Sequence, residues 1–390
     1  MKTVIVGMSG GVDSSVAAYL LKEQGYHVIG VTMQIWQEEE DFTIEENGGC
    51  CGLSAVEDAR RVAKQLEIPF YVMNFRKEFQ HHVIDYFIHE YLNGRTPNPC
   101  IACNRYVKWE SLLERSLAIG GDYIATGHYA RIVKLENGRY SIKRSASLEK
   151  DQTYALYNLT QEQLSKTLMP CGEFSKDEIR QMAEKLDLPI ASKPDSQDIC
   201  FVPDGDYAFF IEKEIDSKYT SGKSDEKDGS NNLIGERDIS KNKVSKNLRG
   251  KIIKPGNFVT RNGEILGKHK GIIHYTVGQR KGLGLAMGHP VFVLEIRAKT
   301  NEVLLGTYEE SLVKTLKAHQ VNFMSASDLK GPKRAFAKIR YNHPGAWCTV
   351  EKTAPDEITC TFEEPQRAVT PGQAVVLYDG DIVFGGGTIR

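Results

Sequence analysis

The sequence predicts an α/β fold class in three parts: an N-terminal doubly wound parallel sheet, a small central domain and a C-terminal all-β barrel. Three observations carry that expectation. Strand and helix signals alternate over the first 200 or so residues, polar residues crowd 213–247, and short strands separated by turn residues fill the chain from about residue 290. Alternation of this kind implies a mostly parallel sheet with helices on both faces, and evenly spaced short strands imply a small barrel. The 390 residues exceed the ~100–200 of a typical domain. The parts are placed at 1–203, 204–285 and 286–390.

Residues 3–7, Thr-Val-Ile-Val-Gly, are short, β-branched and glycine-bounded, as a buried strand requires. Residues 12–24 follow with Val16, Ala17, Leu20 and Leu21 on one face and close on Gly25, the pattern of a helix ending at glycine. Residues 27–33 give the next strand, and Ser54-Ala-Val-Glu57 is a capping box that opens a helix to about Leu66. Strands follow at 69–75 and 122–126. The segment 213–247 is rich in Lys, Asp, Ser, Asn and Gly without apolar periodicity, which reads as a solvated insertion. Strand signals then recur at 291–296, 302–305, 335–341, 348–351, 357–362 and 374–378, and these are assigned to the barrel.

Hydrophobic residues make up 41% and charged residues 26%, the ordinary range of a soluble globular chain. The apolar run Val4-Ile5-Val6 is shorter than a secretory core of roughly 7–15 residues. No stretch approaches the ~18 residues that span a bilayer, so the expectation is a cytoplasmic protein with no membrane partner. A net charge of −1 gives no global attraction to nucleic acid, yet residues 241–290 hold eleven Lys or Arg against one acid, Glu264. Such a run is the local footprint of a phosphate-contacting surface, although taken alone it reads first as a solvated face. Eight cysteines in a reducing compartment argue against structural disulfides. The spacing Cys100-x-x-Cys103 points instead to metal, cluster or redox work.

Between the first strand and first helix lies Gly7-Met8-Ser9-Gly10-Gly11-Val12-Asp13-Ser14-Ser15. Tandem glycines let backbone amides approach an anion, and a helix N-terminus adds its dipole and open N–H groups. The loop lacks the Gly-Lys-Ser/Thr of a Walker motif and the G-x-G-x-x-G order of dinucleotide binders. It resembles the Ser-Gly-Gly-x-Asp-Ser pyrophosphate loop of the ATP pyrophosphatase superfamily. That resemblance implies an adenine nucleotide α-hydrolase-like fold, with ATP and Mg²⁺ as cofactors and cleavage between the α and β phosphates.

Further stretches narrow the substrate. They are Gly94-Arg-Thr-Pro-Asn-Pro-Cys-Ile-Ala-Cys103-Asn104, Ala125-Thr-Gly-His-Tyr129, Lys150-Asp-Gln152, Asp195-Ser-Gln-Asp-Ile-Cys200-Phe201 and Tyr275-Thr-Val-Gly-Gln-Arg-Lys-Gly-Leu-Gly284. In this order, and over essentially the whole chain apart from 213–247, they resemble the bacterial and mitochondrial tRNA-specific 2-thiouridylases. The resemblance implies ATP-dependent adenylation of the wobble uridine, position 34, of tRNAs for lysine, glutamate and glutamine, followed by sulfur transfer. It places Cys103 as the catalytic nucleophile and Cys200 as carrier of a persulfide sulfur, for which a polarisable thiolate is the fitting chemistry. The sulfur would come from a cysteine desulfurase or a relay protein. The implied ATP-binding residues are Gly7, Met8, Ser9, Gly10, Gly11, Val12, Asp13, Ser14, Met33 and Gly127. The implied tRNA contacts are Asn98, Pro99, Cys100, His128, Lys150, Asp151, Gln152, Arg340, Tyr341 and Gln373.

One position departs from the family pattern, because Cys100 stands where many members carry an acid. Three readings stay open: Cys100 substitutes for that acid, Cys100 joins Cys103 and Cys200 as ligand of a [4Fe-4S] cluster, or it is a small buried residue. Cys50-Cys51 make a poor metal site with only two ligands, while Cys171, Cys348 and Cys360 read as core and His81-His82 as surface. A small-molecule synthetase with the same loop would need neither the barrel nor the paired cysteines. A non-catalytic RNA-binding module would need no intact loop.

Overall fold

The computed structural model describes residues 1–35, 53–194, 199–202, 204–220 and 253–390. The strands in chain order begin with β1 (Thr3–Gly7), β2 (His27–Gln34), β3 (Phe70–Asn74) and β4 (Tyr123–Ala125), then a hairpin of β5 (Ala130–Lys134) and β6 (Tyr140–Arg144), then β7 (Thr167–Leu168). The helices are α1 (Val12–Glu23), α2 (Leu53–Gln65), α3 (76–92), α4 (99–118), α5 (Gln161–Ser165), α6 (Lys176–Lys185) and α7 (Tyr207–Thr220).

Among the described residues, β3-β2-β1-β4-β7 form one sheet in which every pairing is parallel. Its central strand is buried on both faces, with Val4, Ile5 and Val6 all fully inaccessible, as expected where helices cover a parallel sheet. Helix α1 buries Val16, Ala17 and Leu21 against this sheet beside Val62 of α2 and Ile179 of α6. Sheet and helices therefore agree with the doubly wound expectation.

The chain divides into two compact units. The first combines 1–87 and 97–203 with 313–390. Its C-terminal part is built from β12 (Leu312–Phe323), β13 (Lys333–Lys338), β14 (Ala346–Ala354), β15 (Glu357–Arg367), β16 (Ala374–Asp379) and β17 (Ile382–Ile389), after β8–β11 described below. These pair in the order β12-β15-β14-β13-β16-β17, and β12 pairs β17 antiparallel, closing the barrel. Alternate residues fill its inside, among them Ala335, Ala337, Cys348, Val350, Cys360, Phe362 and Leu377. The hairpin β5–β6 adds to this barrel rather than to the parallel sheet, through Lys143 opposite Ile382. The Ser141 hydroxyl, buried, donates to the Val383 carbonyl at 2.7 Å. Asn322 of β12 donates to the carbonyls of Tyr157 and Leu159 at 2.9 and 3.0 Å.

The second unit holds 88–96 and 204–312. It contains α7 and a four-stranded sheet of β8 (Gly256–Val259), β9 (Ile265–His269), β10 (Phe292–Arg297) and β11 (Glu302–Gly306), in the order β10-β11-β8-β9. The strands expected at 291–296 and 302–305 thus belong to this sheet and not to the barrel. The cause is the parallel pairing of β11 with β8, Val303 opposite Phe258, which local patterning cannot foresee. The part of the expected insertion from 213 to 220 is also helical. Ala208, Ile211 and Ile215 recur at helical spacing and are all buried, so α7 has a core face. The rest of that insertion and the basic residues 241–252 lie outside the described residues.

Candidate active site

The carboxyl end of the parallel sheet is where an open α/β fold binds ligands, and the glycine loop stands there. The Ser9 amide donates to Ser14 Oγ at 3.1 Å, while the Ser14 and Ser15 hydroxyls donate to the Gly11 carbonyl at 3.2 and 2.8 Å. Gly10 takes φ +68°, and a Cβ there would stand 2.3 Å from the Ala55 carbonyl of α2, so no other residue fits. Gly11 caps α1 without a side-chain acceptor, leaving the first-turn amides to a ligand. The side chains of Met8 and Val12 are buried, so these two would meet a nucleotide through backbone alone. Met33 lies at the carboxyl end of β2, and Gly127 follows β4. A Cβ on Gly127 would sit 2.6 Å from Asp13 C and Ser14 N, which lays the 126–129 turn directly on the loop.

Asp13 is not an open carboxylate. It accepts from Tyr129 Oη at 2.7 Å and from Lys176 Nζ at 2.8 and 3.0 Å. Lys193 Nζ donates to the Gly10 carbonyl at 3.2 Å and to Asp58 at 2.9 Å. Sequence reasoning missed both lysines, which reach the loop from 163 and 183 positions away and carry no local signature.

Helix α4 presents Cys100 and Cys103. Asn98 is its N-cap, accepting from the amides of Cys100 and Ile101 at 3.1 and 3.2 Å, with Pro99 at the first helical position. The Asn98 oxygen therefore holds the helix start, and Pro99 is buried. Cys100 is exposed and Cys103, one turn on, is half-buried. From Cys103 to Leu112 the helix widens into π-helical turns, a feature frequent at functional sites. The buried Asn104 amide donates to Ala155 O at 3.0 Å and anchors that face. Half-buried Cys200 precedes Phe201, whose ring packs edge-on against Phe79 and Phe87 of α3. Asp195 to Asp198 of the same motif lie outside the described residues, as do Cys50 and Cys51.

Polar and aromatic groups gather near Cys100. Burial pushes the Tyr341 phenol up in pKa, and the Asp151 carboxylate and Cys100 thiol add to it, so these three share one locale. Tyr341 packs edge-on against Tyr154 at 6.1 Å, and Lys338 lies 5.9 Å from its ring centre. Tyr154 Oη donates to Ala374 O at 2.9 Å and reaches Gln373 Oε1 at 3.5 Å. Asp151 accepts from the Ser145 amide and the Thr153 hydroxyl at 3.2 and 2.7 Å. Gln152 exchanges hydrogen bonds with the Tyr129 backbone at 2.9 and 3.0 Å, linking this group to the 126–129 turn. Lys150 is exposed. His128 Nδ1 meets Thr126 Oγ1 at 2.7 Å. Burial, aided by Lys108, holds this imidazole well below its ordinary pKa and therefore neutral.

The turn that carries Arg340 and Tyr341 is braced by His343, also missed in the sequence. Its amide donates to the Arg340 carbonyl at 3.0 Å, and its Nδ1 accepts from the Gly345 amide at 3.1 Å. Nε2 therefore carries the proton and donates to Gln366 at 3.2 Å. Arg340 itself donates to the Arg367 carbonyl at 3.3 Å.

Cys171, Cys348 and Cys360 are core; burial raises the Cys171 thiol, and the hydrogen bond with Cys348, then burial, raises that of Cys360. His82 is not simply surface, since it stacks on Tyr106 at 4.8 Å. Among the described residues no three His, Cys, Asp or Glu converge as metal ligands. Cys100, Cys103 and Cys200 as placed here do not form the ligand set of a cluster. No described helix is long and apolar enough to cross a membrane.

Three family profiles match the chain: a tRNA methyl transferase HUP domain over 2–204, a tRNA methyl transferase PRC-barrel domain over 242–307 and an aminomethyltransferase β-barrel domain over 313–389. A tRNA-specific 2-thiouridylase MnmA of Lachnoclostridium phytofermentans is 62% identical over 389 residues, covering 100% of this chain and 99% of that protein. One from Acetivibrio thermocellus is 53% identical, again over 100% of this chain and 99% of that protein. Among solved structures, a 4-thiouridine synthetase–RNA complex with bound ATP matches at TM-score 0.34 and 17% identity, over 56% of this chain and 52% of that one. With profiles along most of its length and identity above one half from end to end, the chain belongs to the tRNA-specific 2-thiouridylase family.

Proposed function

We propose that this cytoplasmic enzyme uses Mg²⁺-ATP to adenylate the C2 oxygen of wobble uridine 34 in tRNAs for lysine, glutamate and glutamine, and then installs sulfur there. One observation carries the reading. A phosphate loop and the group of Cys100, Asp151 and Tyr341 belong to one compact unit and are joined through the Tyr129–Gln152 link. Asp13 is engaged by Lys176, so the magnesium arrives with the phosphates, as it commonly does.

The uridine C2 oxygen attacks the α-phosphorus, the N3 proton is lost and pyrophosphate leaves along the loop amides. The terminal sulfur of a Cys200 persulfide, loaded by a cysteine desulfurase or relay protein, then attacks C2 and AMP departs. Cys103 thiolate attacks the Cys200 sulfur, the S–S bond breaks toward the nucleoside, and the C2 thiolate released takes up a proton at N3 to become 2-thiouridine. The Cys103–Cys200 disulfide is reduced by an external dithiol. Tyr341, with Lys338 beside it, gives the everted base a ring to stack on. No step is routed through a cluster, because the three cysteines are not gathered as ligands.

The test is thiolation of unmodified lysine tRNA, scored by retardation in a mercury-containing gel, for protein with and without iron reconstitution. The persulfide route expects product from iron-free protein, its loss in Cys103→Ser and Cys200→Ser, and its survival in Cys100→Ser. Product only after iron reconstitution, lost in all three variants, would replace that route with a cluster. No product from either sample, with a persulfide donor present, overturns the reading itself.

A further inference from the structure

Val107 and Trp109 of α4 are fully buried, and Trp109 Nε1 donates to Thr167 Oγ1 of β7 at 2.7 Å, so the backbone between them is fixed. Lys108, which that backbone carries, is half-buried, and its ammonium donates to Asn104 Oδ1 at 2.9 Å. Asn104 is itself buried and follows Cys103 in the chain. The charge of Lys108 also reaches His128, whose imidazole is held below its ordinary pKa by burial first and then by this ammonium. The His128 ring lies 5.5 Å from that of Trp109, and His128 follows Gly127, the residue laid on the Asp13 and Ser14 backbone. An ammonium has three N–H donors. Among the described residues this one has a single acceptor, a neutral amide oxygen, and no carboxylate within ion-pair distance. Drawing such a charge out of water is unfavourable unless an anion meets it. Its position specifies the anion. In the proposed reaction pyrophosphate belongs to the loop amides and Cys103 acts at C2 of the base. The α-phosphorus joins those two places until AMP departs. Lys108 touches the neighbour of Cys103 on α4 and bears on the neighbour of Gly127 at the loop.

We propose that Lys108 is the ligand of the α-phosphate. Its ammonium donates to a non-bridging α-phosphate oxygen of ATP, keeps that contact in the uridine adenylate and loses it when AMP leaves. Asn104 holds the ammonium in place beforehand, and the neutral His128 adds no competing charge. A fixed cation at this oxygen stabilises the charge that gathers on the phosphoryl group as the uridine oxygen attacks. It also stabilises the AMP that departs when sulfur attacks C2. The inference rests on the adenylation proposed above and adds to it the group that recognises the phosphate common to both steps.

Two readouts test it on the full chain. The first is equilibrium dialysis of AMP and of adenosine, which differ only in the α-phosphate. The wild type prefers AMP, and Lys108→Gln, folded by circular dichroism, loses about 10- to 100-fold of that preference, the worth of one charge-assisted hydrogen bond. Its affinity for adenosine stays that of the wild type, and Lys108→Arg keeps most of the preference. Should Lys108→Gln not fold, Lys108→Met, which retains the apolar stem, takes its place. The second readout is tRNA-dependent pyrophosphate release. Lys108→Gln lowers its maximal rate about 100- to 1000-fold, the usual cost of one such donor. The ATP concentration that half-saturates it rises less, by roughly 10-fold. A Lys108→Gln protein with the wild-type preference for AMP overturns the proposal, as does a wild type that binds AMP no better than adenosine. With that preference intact, slower alkylation of Cys103 would assign the ammonium to the thiolate, and weaker tRNA retention in a gel shift would assign it to a tRNA phosphate. A wild type that releases no pyrophosphate with any tRNA sinks the proposed function, and the dialysis then still decides for or against Lys108.

Discussion

At the scale of single residues, the site depends on contacts too tight to admit a methyl group. Gly127 is the clearest case, since a Cβ would lie 2.6 Å from backbone atoms of Asp13 and Ser14. Gly127→Ala must push the 126–129 turn off the loop, and displacements of about 1 Å cost on the order of 100-fold in rate. Pyrophosphate release should fall by that order while tRNA retention in a gel shift is kept. Equal loss of both would place the defect in folding. His343 gives a pH dependence with a definite sign. Burial, then the neighbouring Arg340, lowers its pKa to about 4, against an ordinary value of 6.5. The unfolded chain then binds more protons than the folded one between those values. The stabilisation is complete above about pH 6.5 and is lost as pH falls through that window, by up to roughly 3 kcal/mol. His343→Gln should flatten the fall in unfolding midpoint between pH 7 and 5, and an unchanged slope would show that other groups set it. The phosphate loop was legible because its glycines and hydroxyls are contiguous, whereas Lys176, Lys193 and His343 act across folds of the chain.

At the scale of elements, strand alternation identified the parallel sheet, while strand pairing across long intervals stayed hidden. The hairpin β5–β6 interrupts the nucleotide-binding part in sequence but pairs with the barrel. The strand β17 is absent from the strands expected above, and three consecutive glycines, Gly385-Gly386-Gly387, are poor strand formers. In the structure those positions are strand, and a Cβ on Gly386 would stand 2.5 Å from Val375 O and 2.6 Å from the Tyr157 ring. The glycines there permit close packing, not a bend. This cross-bracing predicts that barrel and parallel sheet unfold together. Asn322→Leu deletes the donors to Tyr157 O and Leu159 O, and stranded buried carbonyls cost about 1–3 kcal/mol. Hydrogen exchange should accelerate in β6 and β17 together in that variant. Acceleration confined to β12 would mean that the elements open separately.

At the scale of the whole molecule, a net charge of −1 conceals a local excess of cations. Lys268, Lys270, Arg280 and Lys281 are exposed in the second unit, and Arg261 there is paired with Glu310 at 3.3 Å. Neutralising phosphates releases their counterions, so affinity depends on salt according to how many phosphates the protein engages, not on its net charge. If this surface carries tRNA, the logarithm of affinity should fall linearly with the logarithm of salt concentration despite the near-neutral chain. Changing Lys268, Lys270 and Lys281 to Glu should lower the slope by roughly 0.7–0.9 for each phosphate no longer neutralised. The ATP concentration for half-saturation should stay as in the wild type, because these residues belong to the second unit and the phosphate loop to the first. A slope unchanged by the triple substitution would make the basic run a solvated face and leave tRNA retention to Arg340, Tyr341 and their neighbours.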